Sequence, residues 1–578
     1  MTHLSALKAA TSLSDVAELL GFKPSSLSYI LFHQSKTSKY TKFQIPKRHG
    51  GSRTICAPAP SLKLLQRNLT DLLQNCIQSI AESSGKKNEI SHGFTRGRSI
   101  VTNAKIHRNR HYVFNVDLND FFGSINFGRV RGFFIKDRNF SLNVDVATVL
   151  AQICCHDNAL PQGSPCSPVV SNLIGHLLDT HLVRLASQTG CRYSRYADDL
   201  TFSTNKKEFP ASIAKYVDDE HDWKVGSELS RLIKRTGFEI NKTKTRMQYR
   251  DSRQEVTGLV VNRKVNIRRE YRHTVRAMAH RLFTTGSFDF VRNVVDDMGT
   301  VTQNKNPGDI LQLHGMLGFI HGIDLHNQFL SQAEQGSRGN SKLSSKESLY
   351  KRFLFYKEFY AAKTPVIICE GKTDNLYLLH AIRSLVAKYP TLASKSADGS
   401  ISLRIRIFNF VDTSTGRILG ISSGGGPNLK NFIRQYTDAA SKFKPHGVQK
   451  PTIVFVDNDS GSKEVLAVVK AITKKELTGL YPFVHVANNL YVVATPLQSG
   501  LDETDTEDFF DEATRSTVVD GKSFDRKNRM NSVTHYGQIV FAHKVIVAHA
   551  DKINFSAFEP ILDSLVNIID AHERLHFP

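Results

Sequence analysis

The stretch Tyr196-Ala197-Asp198-Asp199-Leu200-Thr201-Phe202-Ser203 sets two adjacent carboxylates on a turn that leads into a β-type run. Alone, such a pair is an ordinary solvated turn. Upstream, Tyr112-Val113-Phe114-Asn115-Val116-Asp117 ends a buried-type strand on a third acid, and Phe121-Phe122 follow shortly after. An acid at the end of a buried strand costs desolvation, and three acids brought together raise one another's pKa. A bound cation reverses that logic, and Mg2+ suits carboxylates shared with substrate phosphates. Two such ions about 3.5–4 Å apart activate an attacking hydroxyl and stabilise the leaving oxygen of an in-line phosphoryl displacement. Asp117, Asp198 and Asp199 are candidate catalytic and metal-binding residues if the fold brings them into one centre.

Between these acids lies Leu160-Pro161-Gln162-Gly163-Ser164-Pro165-Cys166-Ser167-Pro168. Taken in order, D-x-x-x-F-F, L-P-Q-G-S-P and Y-A-D-D resemble the reverse transcriptases. The resemblance implies a right-hand polymerase of fingers, palm and thumb that uses dNTP substrates and a two-metal Mg2+ site. It also implies roles for single residues. Phe122 would lie under the incoming sugar and exclude a 2′-hydroxyl. Gln162 and Gly163 would lie against template and nucleotide, Arg53 of Gly51-Ser52-Arg53-Thr54 would grip the triphosphate, and Lys244 of Gly237–Thr245 would join that nucleotide and template site.

Two further segments narrow the likeness. Asn103-Ala104-Lys105-Ile106-His107, and Val256-Thr257-Gly258 within Val256–Asn262, resemble short elements that distinguish retron reverse transcriptases. By that resemblance Asn103, His107, Val256, Thr257 and Gly258 belong to RNA binding. The enzyme would copy part of its cognate noncoding RNA, primed from a 2′-hydroxyl, into a branched RNA-linked single-stranded DNA (msDNA).

The charge balance agrees with a polyanionic partner. The chain has 578 residues with 76 Lys and Arg against 54 Asp and Glu, a formal net charge of +22. Nucleic acid is the commonest partner for such an excess. Arg268, Arg269, Arg272 and Arg276 lie in the basic segment Arg263–Arg281, where helical arginines about a turn apart track successive phosphates.

Composition divides the chain. Residues 331–349 are rich in Ser, Gly and charge and predict a linker between a reverse transcriptase at 1–330, with fingers and palm to about 262 and a basic thumb at 263–330, and a second domain at 350–578. Beyond the linker, short β-type runs alternate with helical patterns, which predicts βαβ units on a mainly parallel sheet. These runs include Pro365–Glu370, Ile405–Val411, Pro451–Asp457, Val484–Val493 and Lys544–Ala548. Two of them end on acids, giving Glu370-Gly371-Lys372-Thr373-Asp374 and Asp457-Asn458-Asp459-Ser460-Gly461. Ligands of open parallel sheets gather beyond the strands' carboxyl ends.

This pair of motifs resembles the TOPRIM domain. The likeness implies a Rossmann-like fold, a second Mg2+ site on Glu370, Asp457 and Asp459, and metal-dependent cleavage of a nucleic-acid target. Asp374, Glu507 and Lys544 are secondary candidates, and Ser422–Gly426 reads as a flexible loop. The fold class expected for the whole is multidomain, α+β followed by α/β.

The fusion suggests an antiphage unit in which msDNA controls the nuclease. The alternatives are a non-catalytic TOPRIM scaffold and a mobile-element reverse transcriptase. Seven scattered cysteines without a CxxC pair argue against a disulfide framework or zinc ribbon and for a reducing compartment. No apolar run is long enough for a membrane span, so a bacterial cytoplasmic protein is expected, with a second copy of the chain as a candidate partner.

Overall fold

The computed structural model describes residues 2–46, 51–85, 90–217, 222–295, 301–335, 343–410, 413–422, 424–444, 447–477, 483–526 and 532–576. Residues 47–50, the centre of the expected linker at 336–342, and Val411 and Ser423 lie outside these residues.

Two compact units divide the chain. The first contains Met1–Arg272, Arg292–Asn304 and Ile323–Ser337, and the second His273–Val291, Lys305–Gly322 and Arg338–Pro578. Much of the segment read as thumb thus clusters with the carboxyl-terminal part. Aromatic packing accounts for this, since the Phe283 ring lies 5.8 Å from Tyr356 and 5.2 Å from Phe443, with the Arg352 guanidinium 4.6 Å above it.

In the first unit, Tyr40–Pro46 pairs antiparallel with Ser52–Pro58. Helix Pro60–Ser84 follows, its proline in the first turn where no backbone donor is lost. Leu62, Leu65, Leu69, Leu72, Leu73 and Cys76 form its buried stripe. The four strands Arg192–Tyr196, Asp199–Thr204, Tyr112–Asn119 and Glu239–Tyr249 lie side by side in that order, all antiparallel. Helix Ser167–Thr189 packs on this sheet through residues such as Ile174, Leu178 and Leu182, in the same core as Phe114, Leu200 and Phe202. Glu255–Val256 and Leu259–Val260 form a small hairpin. Thr257, at φ 47°, and Gly258 make its turn.

The second unit is built on a five-stranded sheet. Val366–Cys369 runs parallel to Arg406–Ile407 on one side and to Thr452–Val456 on the other. Leu490–Ala494 continues the parallel set, and Phe483–Ala487 closes it as an antiparallel edge. Val366–Cys369 and Thr452–Val456 are buried at every residue, as expected of parallel strands covered on both faces. Ile367, Cys369, Ile453 and Phe455 share a core with Tyr377 of helix Asp374–Ser384 and Leu562 of helix Glu559–His576.

Two expectations in this unit are corrected. The run Val484–Val493 is two antiparallel strands, broken by a turn at Asn488, which has φ 52°. Lys544–Ala548 is helical, part of a π-helical stretch Phe541–Val547. Its β-branched residues favoured a strand, but Phe541, Ala542, Val545 and Ile546 recur at helical spacing and all four are buried.

Candidate active site

Strand register places the first three acids. Asp117 pairs directly with Asp199 across neighbouring antiparallel strands. Asp198 precedes Asp199 on the turn, and its carbonyl accepts the Leu118 N–H at 3.0 Å. Ala197 holds φ 55° in this turn, which is costly for a residue with a Cβ and persists only when the surroundings over-determine it. Those surroundings are specific. A Cβ on Gly93 would lie 2.6 Å from the Ala197 nitrogen, so only glycine permits that approach.

From beneath, Arg195 donates to the Ala197 carbonyl at 3.2 Å and grips Asp179 of helix Ser167–Thr189 through two 2.8 Å bonds. Tyr193 donates to the same carboxylate at 2.8 Å. Gly93, Asp179 and Arg195 are absent from the sequence reading. One signal was present, since Asp179 follows Leu178 on the apolar face of an otherwise regular helix.

The electrostatics follow from this packing. The tip of Asp199 is open to solvent, yet the protein around it, with Asp198 and Asp117 nearby, pushes its carboxyl up to about 7. Asp198 is raised by burial and then by Asp117, and lowered in part by Lys244 and Arg53. Lys244 donates to both oxygens of Asp117 at 3.1 Å. Among the described residues no group of three or more His, Cys, Asp or Glu side chains forms a ready cation cage. The donor set still fits Mg2+, because buried, mutually repelling carboxylates are what a hard divalent ion relieves.

The neighbouring expectations divide. Arg53 stands opposite Ile45 in the hairpin, within electrostatic reach of Asp198. The Gln162 carbonyl accepts the Cys56 N–H at 2.7 Å, and a Cβ on Gly163 would lie 2.8 Å from the Cys56 oxygen. The close approach that this glycine permits is therefore to the protein's own hairpin. Phe122 is partly buried, its ring 6.3 Å from Phe94 and 5.5 Å from Phe121.

Direct RNA contact by Asn103 and His107 is corrected, because both are fully buried. The His107 ring bonds Ser203 at 2.7 Å and Ser194 at 2.8 Å, and Ser194 donates to Asn103 at 2.5 Å. Burial, then the nearby His92, Arg110 and Arg192, hold the imidazole down at about 3, so it is neutral. The two retron-like segments do come together, since the Thr257 hydroxyl donates to the Ile100 carbonyl of helix Ile100–Ile106 at 3.3 Å. Val256 is buried as well, whereas Gly258 is exposed. Arg268 is occupied internally by Glu255 at 2.5 Å, and Arg253 shares that carboxylate at 2.9 Å. Arg269, Arg272 and Arg276 are exposed on helix Arg269–Thr285.

The second unit carries its own acidic centre. Glu370 and Asp457 directly follow neighbouring parallel strands in register, and the Glu370 N–H donates to the Phe455 carbonyl at 3.0 Å. Ser462 donates to the Glu370 carboxylate, and Thr506 donates to Asp457 through its N–H at 3.1 Å and hydroxyl at 3.0 Å. Asp459 accepts the Gly461 and Ser462 amides. Burial and then its acidic neighbours Asp374, Glu507, Asp505 and Glu370 hold Asp457 well above the usual carboxylate range. Burial, with Glu370 and Asp505 adding to it, pushes Asp374 up to about 6. Burial, then Asp374 and Asp505, pushes Glu507 up to about 8.

Asp505 was missed by the sequence reading. It is bridged to Arg526, which also forks onto Asp508 at 2.6 Å. Lys544 does not join this centre but pairs with the exposed Asp520 at 2.5 Å.

Comparison with known proteins bears on the amino-terminal half of the chain. Residues 45–267 match the family described as reverse transcriptase (RNA-dependent DNA polymerase). The Retron Mx65 reverse transcriptase of Myxococcus xanthus is 34% identical over 317 residues, 51% of this chain and 68% of that protein. The chain belongs to the retron reverse transcriptases. The Retron Mx162 reverse transcriptase of the same organism is 32% identical, over 54% of this chain and 63% of that protein. The Retron Ec86 reverse transcriptase of Escherichia coli is 37% identical, over 40% and 65%.

The chain thus spans about two thirds of the length of these relatives. Membership makes RNA-directed DNA synthesis, for which the reverse transcriptase domain generally uses Mg2+, an activity of this chain. No helix among the described residues is long and apolar enough to cross a membrane. All seven cysteines of this retron reverse transcriptase are free thiols.

Proposed function

We propose that this retron reverse transcriptase copies part of its cognate noncoding RNA into msDNA, starting from a 2′-hydroxyl of that RNA. The observation that carries the reading is the Asp117–Asp199 register, with Asp198 at the turn and the cations Arg53 and Lys244 beside it. Bound Mg2+ supplies the Lewis acidity for in-line phosphoryl transfer. Asp117, Asp198 and Asp199 hold it. Arg53 and Lys244 meet the charge of the dNTP, the partly buried Phe122 ring sets the floor under its sugar, and Gln162 and Gly163 lie against template and nucleotide. The exposed Arg269, Arg272 and Arg276 hold RNA phosphates. Primer extension on an RNA template tests this, with Asp198→Asn expected to abolish the product while leaving the circular dichroism unchanged.

In the same reading the carboxyl-terminal unit is a TOPRIM-type domain that cleaves phosphodiesters with Mg2+ held by Glu370, Asp457 and Asp459, assisted by Asp374 and Glu507. Its support is the meeting of these acids at the carboxyl ends of adjacent parallel strands. Bound msDNA holds this activity in check until phage infection, a two-state equilibrium biased by the product. Cleavage assays on RNA and DNA, with and without bound msDNA, test both claims. Equal rates in the two states would remove regulation by the product, and equal rates for Glu370→Gln would remove catalysis.

A second reading, a non-catalytic scaffold, draws on Arg526, which neutralises Asp505 and Asp508 from within the fold. Unchanged phage defence by Asp457→Asn would favour it.

A further inference from the structure

We propose that the aromatic turn Tyr29–His33 in the first unit is a docking surface for a single-stranded segment of RNA, remote in sequence from the aspartates and the arginine-rich helix. The proposal deepens the reading of the chain as an RNA-templated polymerase and rests on it.

Three independent observations converge. The first is charge. From Leu19 to Thr70 the chain carries nine Lys and Arg and no Asp or Glu. Asp157 from elsewhere in the fold offsets Lys42 at 2.8 Å, but Lys23 and Lys63 within the stretch are exposed and favour a polyanion.

The second is exposed aromatic surface. Tyr29 is 61% and Phe32 55% exposed, whereas Ile30 between them is buried at 4%. The turn is thus anchored by one aliphatic side chain and offers its rings outward. The rings of Tyr29 and His33 are stacked, with centroids 6.4 Å apart and 16° between planes. Leaving such rings in water is unfavourable, and they suit unstacked bases, which single-stranded RNA offers and a duplex does not.

The third is backbone. Tyr29–His33 is a π-helical turn continuing helix Pro24–Ser28, a conformation that is rare and frequent at functional sites. It is held in place by the Lys39 ammonium, which donates to the Leu31 carbonyl at 2.7 Å.

The test uses the full chain and an oligouridine of about ten nucleotides containing 4-thiouridine. Crosslinks mapped by mass spectrometry are expected on Tyr29, Phe32 or His33. The double variant Tyr29→Ala/Phe32→Ala should lose about ten-fold or more in affinity with an unchanged salt slope, since no charge is removed. Tyr29→Trp/Phe32→Trp should keep wild-type affinity, which a merely structural role would not predict. Both variants should extend a preformed primer–template at the wild-type rate.

Affinity of the alanine variant within about two-fold of wild type would overturn the proposal. So would crosslinks elsewhere only, or equal competition by duplex RNA or single-stranded DNA. Failure of the wild type to extend any primer would instead strike the polymerase reading, so the two failures are distinguishable.

Discussion

Arg195 and Asp179 support the turn at Ala197, and both are almost wholly buried. Removing one member of such a pair strands the other charge, at a cost of about 3–5 kcal/mol. Arg195→Met should therefore lower the urea midpoint strongly, and Arg195→Met/Asp179→Leu should recover much of the loss. His107 makes a second, pH-dependent prediction. Its folded pKa of about 3 lies below the unfolded 6.5, so the unfolded state binds the proton first as pH falls. Stability is complete above about 6.5 and is lost progressively toward 3, by about 1 kcal/mol at pH 5.5. The variant His107→Gln should flatten that slope in equilibrium unfolding. Asp117 was legible in the sequence because it ends an apolar run, and Asp198 and Asp199 because they stand paired ahead of one. Their supports were not, because a buried Arg and a buried Asp 16 positions apart read as surface charge until the sheet and helix are stacked.

At the scale of elements, the Leu160–Pro168 loop and the Tyr40–Pro58 hairpin act as one piece, joined where Gly163, at φ 113°, meets Cys56. Gly163→Ala forces a Cβ into that contact and should cost about 1–3 kcal/mol. If the hairpin carries Arg53 to the triphosphate, the same variant should raise the KM for dNTP about ten-fold and change kcat less. Unchanged KM with reduced stability would confine Gly163 to folding.

Helical character is legible where apolar periodicity is regular, as in helices Pro60–Ser84 and Val144–Cys154, whose buried residues recur at helical spacing. The reading failed where two signals competed. Val545 and Ile546 favour a strand by propensity, yet burial with Phe541 and Ala542 makes their segment helical. For Asn103 and His107 the motif was legible but its burial was not, because nothing local in the sequence shows that Ser194 and Ser203 come to face them.

For the whole molecule, the net charge of +22 and the two acidic centres pull in opposite directions, one toward polyanions and one toward cations. RNA affinity should accordingly fall steeply with salt, and Arg272→Ala/Arg276→Ala should flatten the log–log slope by about two. The nucleic acid that copurifies with the full chain tests the central claim most directly. Expressed with its cognate RNA, the wild type should yield a single-stranded DNA joined to RNA through a 2′–5′ branch, and Asp198→Asn should yield the RNA alone. A linear, unbranched cDNA from the wild type, or branched DNA from Asp198→Asn, would contradict the account.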